Sequence, residues 1–451
     1  MVSNMIGRRA VVVGAGMAGL LAARALPEYF EHVTVLERDS LPSDARDRRG
    51  TPQSKHVHTL LGGGQRALGD LFPDFEQDLA RAGAVPLRVG LDVRIEMPGY
   101  DPFPRRDLGW ISYSMSRPLI ELAVRRRVEQ YTNITFRPNC RAERFEAAPD
   151  GTAVTAVRFE NRNGRSETLP TDLAVDASGR GNLTLRLLES SGRERPQESV
   201  IEVDIGYATA IFAIPHDISV DWKGLRTVAV PQRSRGGMML PLEGNCWILT
   251  LGGRHSEKPP GDGAGFLAFA QQLRTPTIYD AIKRAQCVGE VARFGFPASV
   301  WRHFERIEPF PRGLLPVADA ICRFNPVYGQ GMSVAAQEAV LLHQLLRRQA
   351  EASEPLAGLA RAFFAGACAL IETPRALAAV PDFAFPETTG QRPPDFERTR
   401  EFRAALTRLA ARDPDIHKLM AEVQALLKPR AVLQDPDLVG RVWNVAADAR
   451  C

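Results

Sequence analysis

The sequence holds little that points outside the cell, to a metal or to a membrane. Six cysteines in 451 residues (Cys140, Cys246, Cys287, Cys322, Cys368, Cys451) form no CxxC pair and have no matching histidine spacing. That pattern excludes a disulfide framework and a thiolate metal site, and it fits a reducing cytoplasm. Charge of one sign is also scarce, since 57 basic against 53 acidic residues leave only +4. Such a balance draws neither nucleic acid nor an anionic membrane surface, and Arg125-Arg126-Arg127 reads as a solvated helix face. No stretch approaches about 18 uninterrupted apolar residues, so no membrane span is expected. The first residues lack the apolar core and cleavage site of a signal peptide, which makes the cytoplasm the expected location. Internal repeats and low-complexity tracts are missing too. With 44% hydrophobic residues the chain can bury the cores of two or three domains.

Glycine is placed with more consequence. The run Ala10-Val11-Val12-Val13-Gly14-Ala15-Gly16-Met17-Ala18-Gly19, followed by Val33-Thr34-Val35-Leu36-Glu37-Arg38, spells strand, phosphate-binding turn, helix, strand and ribose-binding acid. Gly14 allows the tight turn, Gly16 lets backbone approach a pyrophosphate, and Gly19 lets the helix over residues 17–26 pack on the sheet. The phosphates then sit on the amides of Met17 and Ala18 at the positive end of the helix. A carboxylate at Glu37 can accept both ribose hydroxyls and repels a 2′-phosphate, so FAD or NAD fits this turn better than NADP.

Beyond this βαβ unit, a polar stretch at 39–53 leads into a loop and helix over 54–71, with Gly62-Gly63-Gly64 near the turn. A strand at 110–115, a helix at 118–130 and strands at 134–136, 153–159 and 173–177 follow. From about 200 to 291 the texture is strands, broken by one helix near 265–274. Helical periodicity returns after Gly331, and 356–450 reads as helices broken at Thr373-Pro374 and across 385–394. The expected fold class is α/β: Rossmann-like dinucleotide-binding parts at 1–85, 113–190 and 293–350, substrate-layer strands at 86–112, a β-rich domain at 191–292 and helices at 351–451.

A second motif answers the first. Strand residues 313–318 end at Asp319, and the loop Phe324-Asn325-Pro326-Val327-Tyr328-Gly329-Gln330 opens a helix at Gly331-Met332-Ser333. An acid after a strand can take a ribityl hydroxyl, and amides at Gly331 and Met332 can face the N1–C2 carbonyl edge of a flavin, whose reduced anion the helix dipole favours. Pro326 and Gly329 border that ring edge.

At these residues the chain resembles the flavoprotein monooxygenases of the para-hydroxybenzoate hydroxylase superfamily, with their GR2-type FAD-binding domain. Residues 51–58, Ser116-Arg117-Pro118-Leu119, Phe296-Pro297, Trp301-Arg302-His303 and 324–333 look like its actinobacterial branch. That branch includes polyether epoxidases of the monensin and lasalocid type and the FAD-dependent cyclases of spirotetronate and pyrroindomycin biosynthesis. The resemblance implies that Arg117 reaches the FAD from a second crossover and that Gln53 and His56 close a loop over it. It implies that Asp176 belongs to the motif shared by FAD and reduced nicotinamide, where the acid often steadies the loop instead of touching ligand. One departure stands out: relatives carry Gly-Asp where this chain has Ala318-Asp319, and alanine resists a positive φ.

The resemblance further implies a monooxygenase of secondary metabolism, a monomer or homodimer. NADPH or NADH reduces FAD, O2 adds to it, and a flavin C4a-hydroperoxide epoxidises or hydroxylates a small hydrophobic substrate. The nearly all-apolar run at 205–214 agrees with a polyene or terpenoid, although an apolar strand is core more often than pocket wall. No general base stands out, which favours an olefin. The alternative is a [4+2] cyclase in which FAD is structural and rate comes from folding a linear polyene. Halogenation predicts a WxWxIP segment, and the chain has none.

Overall fold

The computed structural model describes residues 5–448; Cys451 lies outside the described residues. Residues 7–13, with Val11 and Val12 almost wholly buried, form the centre of a five-stranded parallel sheet. Its order is Leu314–Pro316, Leu173–Asp176, Gly7–Val13, Phe30–Glu37 and Ile134–Pro138. Strands this apolar need cover on both faces. Helices Met17–Arg24, Arg117–Val128 and Gly331–Gln349 supply it on one side, and on the other a three-stranded antiparallel layer brings Phe145, Val157 and Phe159 against Val11 and Val13.

The second sheet has eight strands, built on two long antiparallel partners, Glu198–Ala213 and Cys287–Arg302. It continues through Cys246–Arg254, Gly236–Leu242 and Gly224–Thr227 to the parallel edge strand Val93–Glu96. Sequence patterning ended the strand-rich region near 291, whereas Cys287–Arg302 carries it eleven residues further; its alternation of exposed and half-buried residues weakens the periodic signal. Two helices, Gly263–Gln271 and Thr277–Ile282, replace the single expected one. They cover one face of this sheet, where Ala208, Ala210, Phe212, Leu225, Met239 and Phe266 pack together. The apolar run at 205–214 therefore serves packing, and it is no argument for a greasy substrate.

The expected break at Thr373-Pro374 does not occur. One helix runs from Leu359 to Phe383 through Pro374 and Pro381. Proline leaves the carbonyl one turn upstream without its amide, and neighbouring groups must compensate; beside it, the Pro374 carbonyl accepts from Gln330 Nε2 at 2.9 Å. By length and composition alone this helix, with a mean hydropathy of 1.4 in its most apolar stretch, could cross a bilayer. In the fold, Phe363, Phe364, Ala367 and Ile371 lie in the core of the parallel-sheet half. The last helices, Phe396–Arg412, Pro414–Gln424 and Pro436–Asp448, pack with Ile95, Met97, Tyr100 and Phe103 beside the edge strand of the large sheet.

Candidate functional site: a groove between two helix N-termini

At the carboxyl end of the parallel sheet the first motif folds as its spacing requires. Gly14 has φ +102°, and a Cβ there would lie 2.6 Å from the Ala177 carbonyl oxygen. At Gly19 a Cβ would lie 1.8 Å from the Gly14 oxygen. A Cβ on Gly16 meets nothing within 4 Å, so the turn is open where a phosphate would approach. Met17 is buried and Ala18 half-buried, and no side chain caps the helix that they begin. The first amides of a helix have no partner within it, which leaves these donors for a ligand.

Glu37 is buried at the end of its strand and already engaged: its carboxylate accepts from Ala15 N at 2.8 Å and Asp39 N at 3.0 Å, and lies 3.2 Å from Arg48 Nη1. Arg48 also donates to the Ala15 carbonyl at 3.2 Å and pairs with Glu121, which holds Arg117 at 3.0 Å. Arg48 thus lies over the turn beside Glu37. Nothing in the residue pattern marks it, because one arginine in Arg46-Asp47-Arg48-Arg49 looks like any other. Arg38 points outward, its nearest partner the Gly50 carbonyl at 3.5 Å. Asp176 is wholly buried and turned away from the groove; one oxygen accepts from Ser178 N and Oγ, the other from Thr184 N and Oγ1. It holds the 176–184 loop and leaves no lone pair aimed at a ligand.

Across the groove, Ala318 adopts φ +54°, the conformation its side chain was expected to resist. Its amide donates to Glu338 at 2.7 Å, an acid one helix turn and more into Gly331–Gln349 that fixes this bend. Asp319 is solvent-accessible yet surrounded by protein, as a residue on a cleft floor must be. Burial pushes its carboxyl up to about 6, against the pull of Arg323 and Arg117. Arg117 therefore lies within electrostatic reach of Asp319. A Cβ on Gly331 would point at Asp319 Oδ1 from 4.0 Å. Pro326 is exposed, Gly329 takes φ +66°, and Gly329, Gly331 and Met332 stay partly accessible along the cleft.

The loop between Asp319 and this helix is held by a buried acid on the long C-terminal helix. Asp382 Oδ1 receives Arg254 Nη2 at 2.7 Å, Tyr328 Oη at 2.8 Å and Asn325 Nδ2 at 2.9 Å. A charged residue inside the apolar stretch 376–385 was the available signal for Asp382.

Gln53 lies half-buried on the single turn Pro52–Lys55, and His56 follows it. His56 and His58 lie in the loop that follows, outside any strand. His56 Nδ1 lies 2.7 Å from Thr209 Oγ1 on the large sheet, and His58 Nδ1 binds the His56 carbonyl at 2.8 Å. Burial lowers their pKa values to about 4 and about 3, so both rings are neutral near pH 7; His56 ties the loop to the sheet, and His58 braces the loop itself.

No protein-family model matches the chain. Among solved structures, a flavoprotein/dehydrogenase from Cytophaga hutchinsonii superposes with a TM-score of 0.69 at 14% identity, covering 98% of each chain. PqsL, a probable FAD-dependent monooxygenase from Pseudomonas aeruginosa, gives 0.60 at 17% identity over 84% of this chain and 97% of its own. CmlS, a flavin-dependent halogenase, gives 0.64 at 16% identity over 93% of this chain and 77% of that one. At such identities these likenesses establish the fold, that of the FAD-binding flavoprotein monooxygenases with a helical C-terminal region. In sequence the chain is 34% identical over 347 residues to Protein Rv3254 of Mycobacterium tuberculosis, spanning 75% of this chain and 73% of that protein, and it belongs to the same family.

Proposed function

We propose that the protein is an FAD-dependent monooxygenase that epoxidises or hydroxylates an organic intermediate of secondary metabolism, with NADPH or NADH as reductant. The observation that carries this reading is the alignment of two uncapped helix N-termini with an enclosed, accessible acid along one groove. The donor set fits a flavin dinucleotide. Amides of Met17 and Ala18 face the pyrophosphate position, and the open side of Gly16 gives it room. Arg48 and Glu37 would meet the adenosine ribose, and Arg117 is within electrostatic reach of both Arg48 and Asp319.

With a carboxyl held near 6, Asp319 is mainly ionised at neutral pH and accepts a hydroxyl donor at the groove's far end. The N-terminus of Gly331–Gln349 favours negative charge beside it. When bound, FAD supplies the hydride acceptor and the oxygen activation that no side chain can. Loop 325–330, pinned on Asp382, and the large sheet would shelter a bound flavin's reacting face from water.

The test is direct. Purified protein should be yellow or take up FAD on reconstitution, and candidate olefinic substrates should accelerate bleaching at 450 nm by NADPH or NADH and drive oxygen uptake. A protein that stays colourless with excess FAD refutes the reading. Flavin that remains oxidised while product forms supports cyclisation instead.

A further inference from the structure

An enclosed acid lies where the two halves of the groove meet, outside the set of groups that would touch the cofactor. Glu338, on the helix Gly331–Gln349, is 2% exposed, and its two oxygens have different surroundings. Oε2 accepts the Ala318 amide at 2.7 Å and so holds the bend that presents Asp319. Oε1 has no hydrogen-bond partner. A small cavity adjoins this carboxyl, walled by Ala18 and Ala22 of the helix Met17–Arg24, by Ala318 of the bend, and by Ala335 and Ala339. Apart from Glu338 its lining side chains are apolar, so it offers neither a counter-charge nor a side-chain donor.

Among the described residues no lysine, arginine or histidine acts on Glu338. The titratable groups that face it are Asp319, next to the Ala318 that it holds, and the buried thiol of Cys322. A carboxylate so placed is poorly solvated, and burial together with Asp319 raises Glu338 from 4.5 to about 7. Near neutrality the empty protein therefore holds it partly as acid and partly as carboxylate. Ala18 connects this acid to the cofactor's place. Its side chain shares the cavity with Glu338, while its amide is one of the uncapped donors that begin the helix Met17–Arg24. The pyrophosphate which those donors would hold is an anion, and across apolar packing two negative charges repel strongly. Protonating Glu338 removes one of them.

We infer that Glu338 couples FAD binding to proton uptake: as the pyrophosphate settles on the start of Met17–Arg24, the carboxylate takes a proton from solvent and becomes neutral. The inference rests on the flavin reading of the groove and adds regulation by pH to it. Linkage gives the sign. At about pH 6 and below, free and loaded protein both carry the proton, so affinity is highest and insensitive to pH. As pH rises through 7 the free protein loses that proton first, loading must recover it from solvent, and affinity falls.

The experiment titrates flavin-free protein with FAD by calorimetry between pH 6 and pH 8.5. At pH 7.5 it is repeated in phosphate and in Tris, whose ionisation heats differ, which counts the protons taken up. Wild-type protein should bind FAD about five-fold or more weakly at pH 8.5 than at pH 6, and take up about half a proton at pH 7.5. Glu338→Gln, which is always neutral, should hold its affinity within about two-fold across the range and take up no proton at pH 7.5. At pH 8.5 it should therefore bind FAD more tightly than wild type, which loss of a merely structural contact would not produce. Glu338→Leu stands in if the glutamine variant fails to fold, and the wild-type proton count needs no variant. Wild-type binding that neither changes with pH nor takes up protons overturns the coupling and leaves the flavin reading standing. A dependence equally steep in Glu338→Gln assigns the proton to Asp319 and overturns it too. Failure to bind FAD at any pH sinks both ideas together.

Discussion

Replacing Glu338 by glutamine should make the protein more stable at alkaline pH and change the pH dependence of its unfolding. Glu338 is 2% exposed; one oxygen accepts the Ala318 amide and the other has no partner. Burial, with Asp319 nearby, raises its carboxyl from 4.5 to about 7. A carboxyl raised on folding prefers its proton in the folded state. Its penalty is therefore absent below about pH 4.5, grows as pH rises and levels off above about pH 7. At about 1.4 kcal/mol per pH unit, the gap amounts to ~3 kcal/mol. Glutamine keeps an acceptor for Ala318 but places an amide N–H in a small space lined by Ala18, Ala22, Ala335, Ala339 and Leu342. That unsatisfied donor costs about 1 kcal/mol at every pH. The variant should thus be about 1 kcal/mol less stable than wild type at pH 4 and ~2 kcal/mol more stable at pH 8.5. Urea denaturation of both proteins across this range, with unfolding by fluorescence, measures the difference. A difference that stays flat with pH would refute the claim that Glu338 is folded as a protonated acid.

Four further substitutions probe the groove and its supports. Gly16→Ala has room for its methyl and a permissive φ of −75°, so it should leave the melting temperature nearly unchanged yet obstruct FAD uptake; Gly19→Ala drives Cβ into backbone and should lose about 1–3 kcal/mol of stability as well. A pair of melting curves with flavin titrations reads the split, and equal behaviour of the two variants would contradict it. Arg254→Met strips Asp382 of its buried counter-charge, which should cost about 3–5 kcal/mol and loosen loop 325–330; a loss under about 1 kcal/mol in urea would show that Asn325 and Tyr328 suffice. Ala318→Gly relieves a left-handed φ but frees the unfolded chain and removes a buried methyl, so stability should stay within about 1 kcal/mol, as urea midpoints would show.

How much was legible depended on whether a residue's role was local. The turn at Gly14–Gly19 could be read because φ, the approach of Gly19 to the Gly14 carbonyl and the helix start are set by neighbours within six positions. Asp319 and the start of the helix at Gly331 were legible for the same reason. Glu37 was placed correctly on its strand, but its engagement by Arg48 depends on a partner eleven residues away in an irregular loop. The tie of His56 to the large sheet was not legible, because its partner Thr209 lies 153 positions later.

The chain's own order of residues determined the dinucleotide turn, the second glycine-bearing loop and the α/β class, since each follows from backbone geometry over short distances. Only tertiary structure decided which charges meet. Asp382 becomes the pin of the cofactor-side loop once Arg254, Asn325 and Tyr328 meet on it from three separate parts of the chain. A charge's meaning depends on what surrounds it in space, and sequence patterning carries that information only for near neighbours.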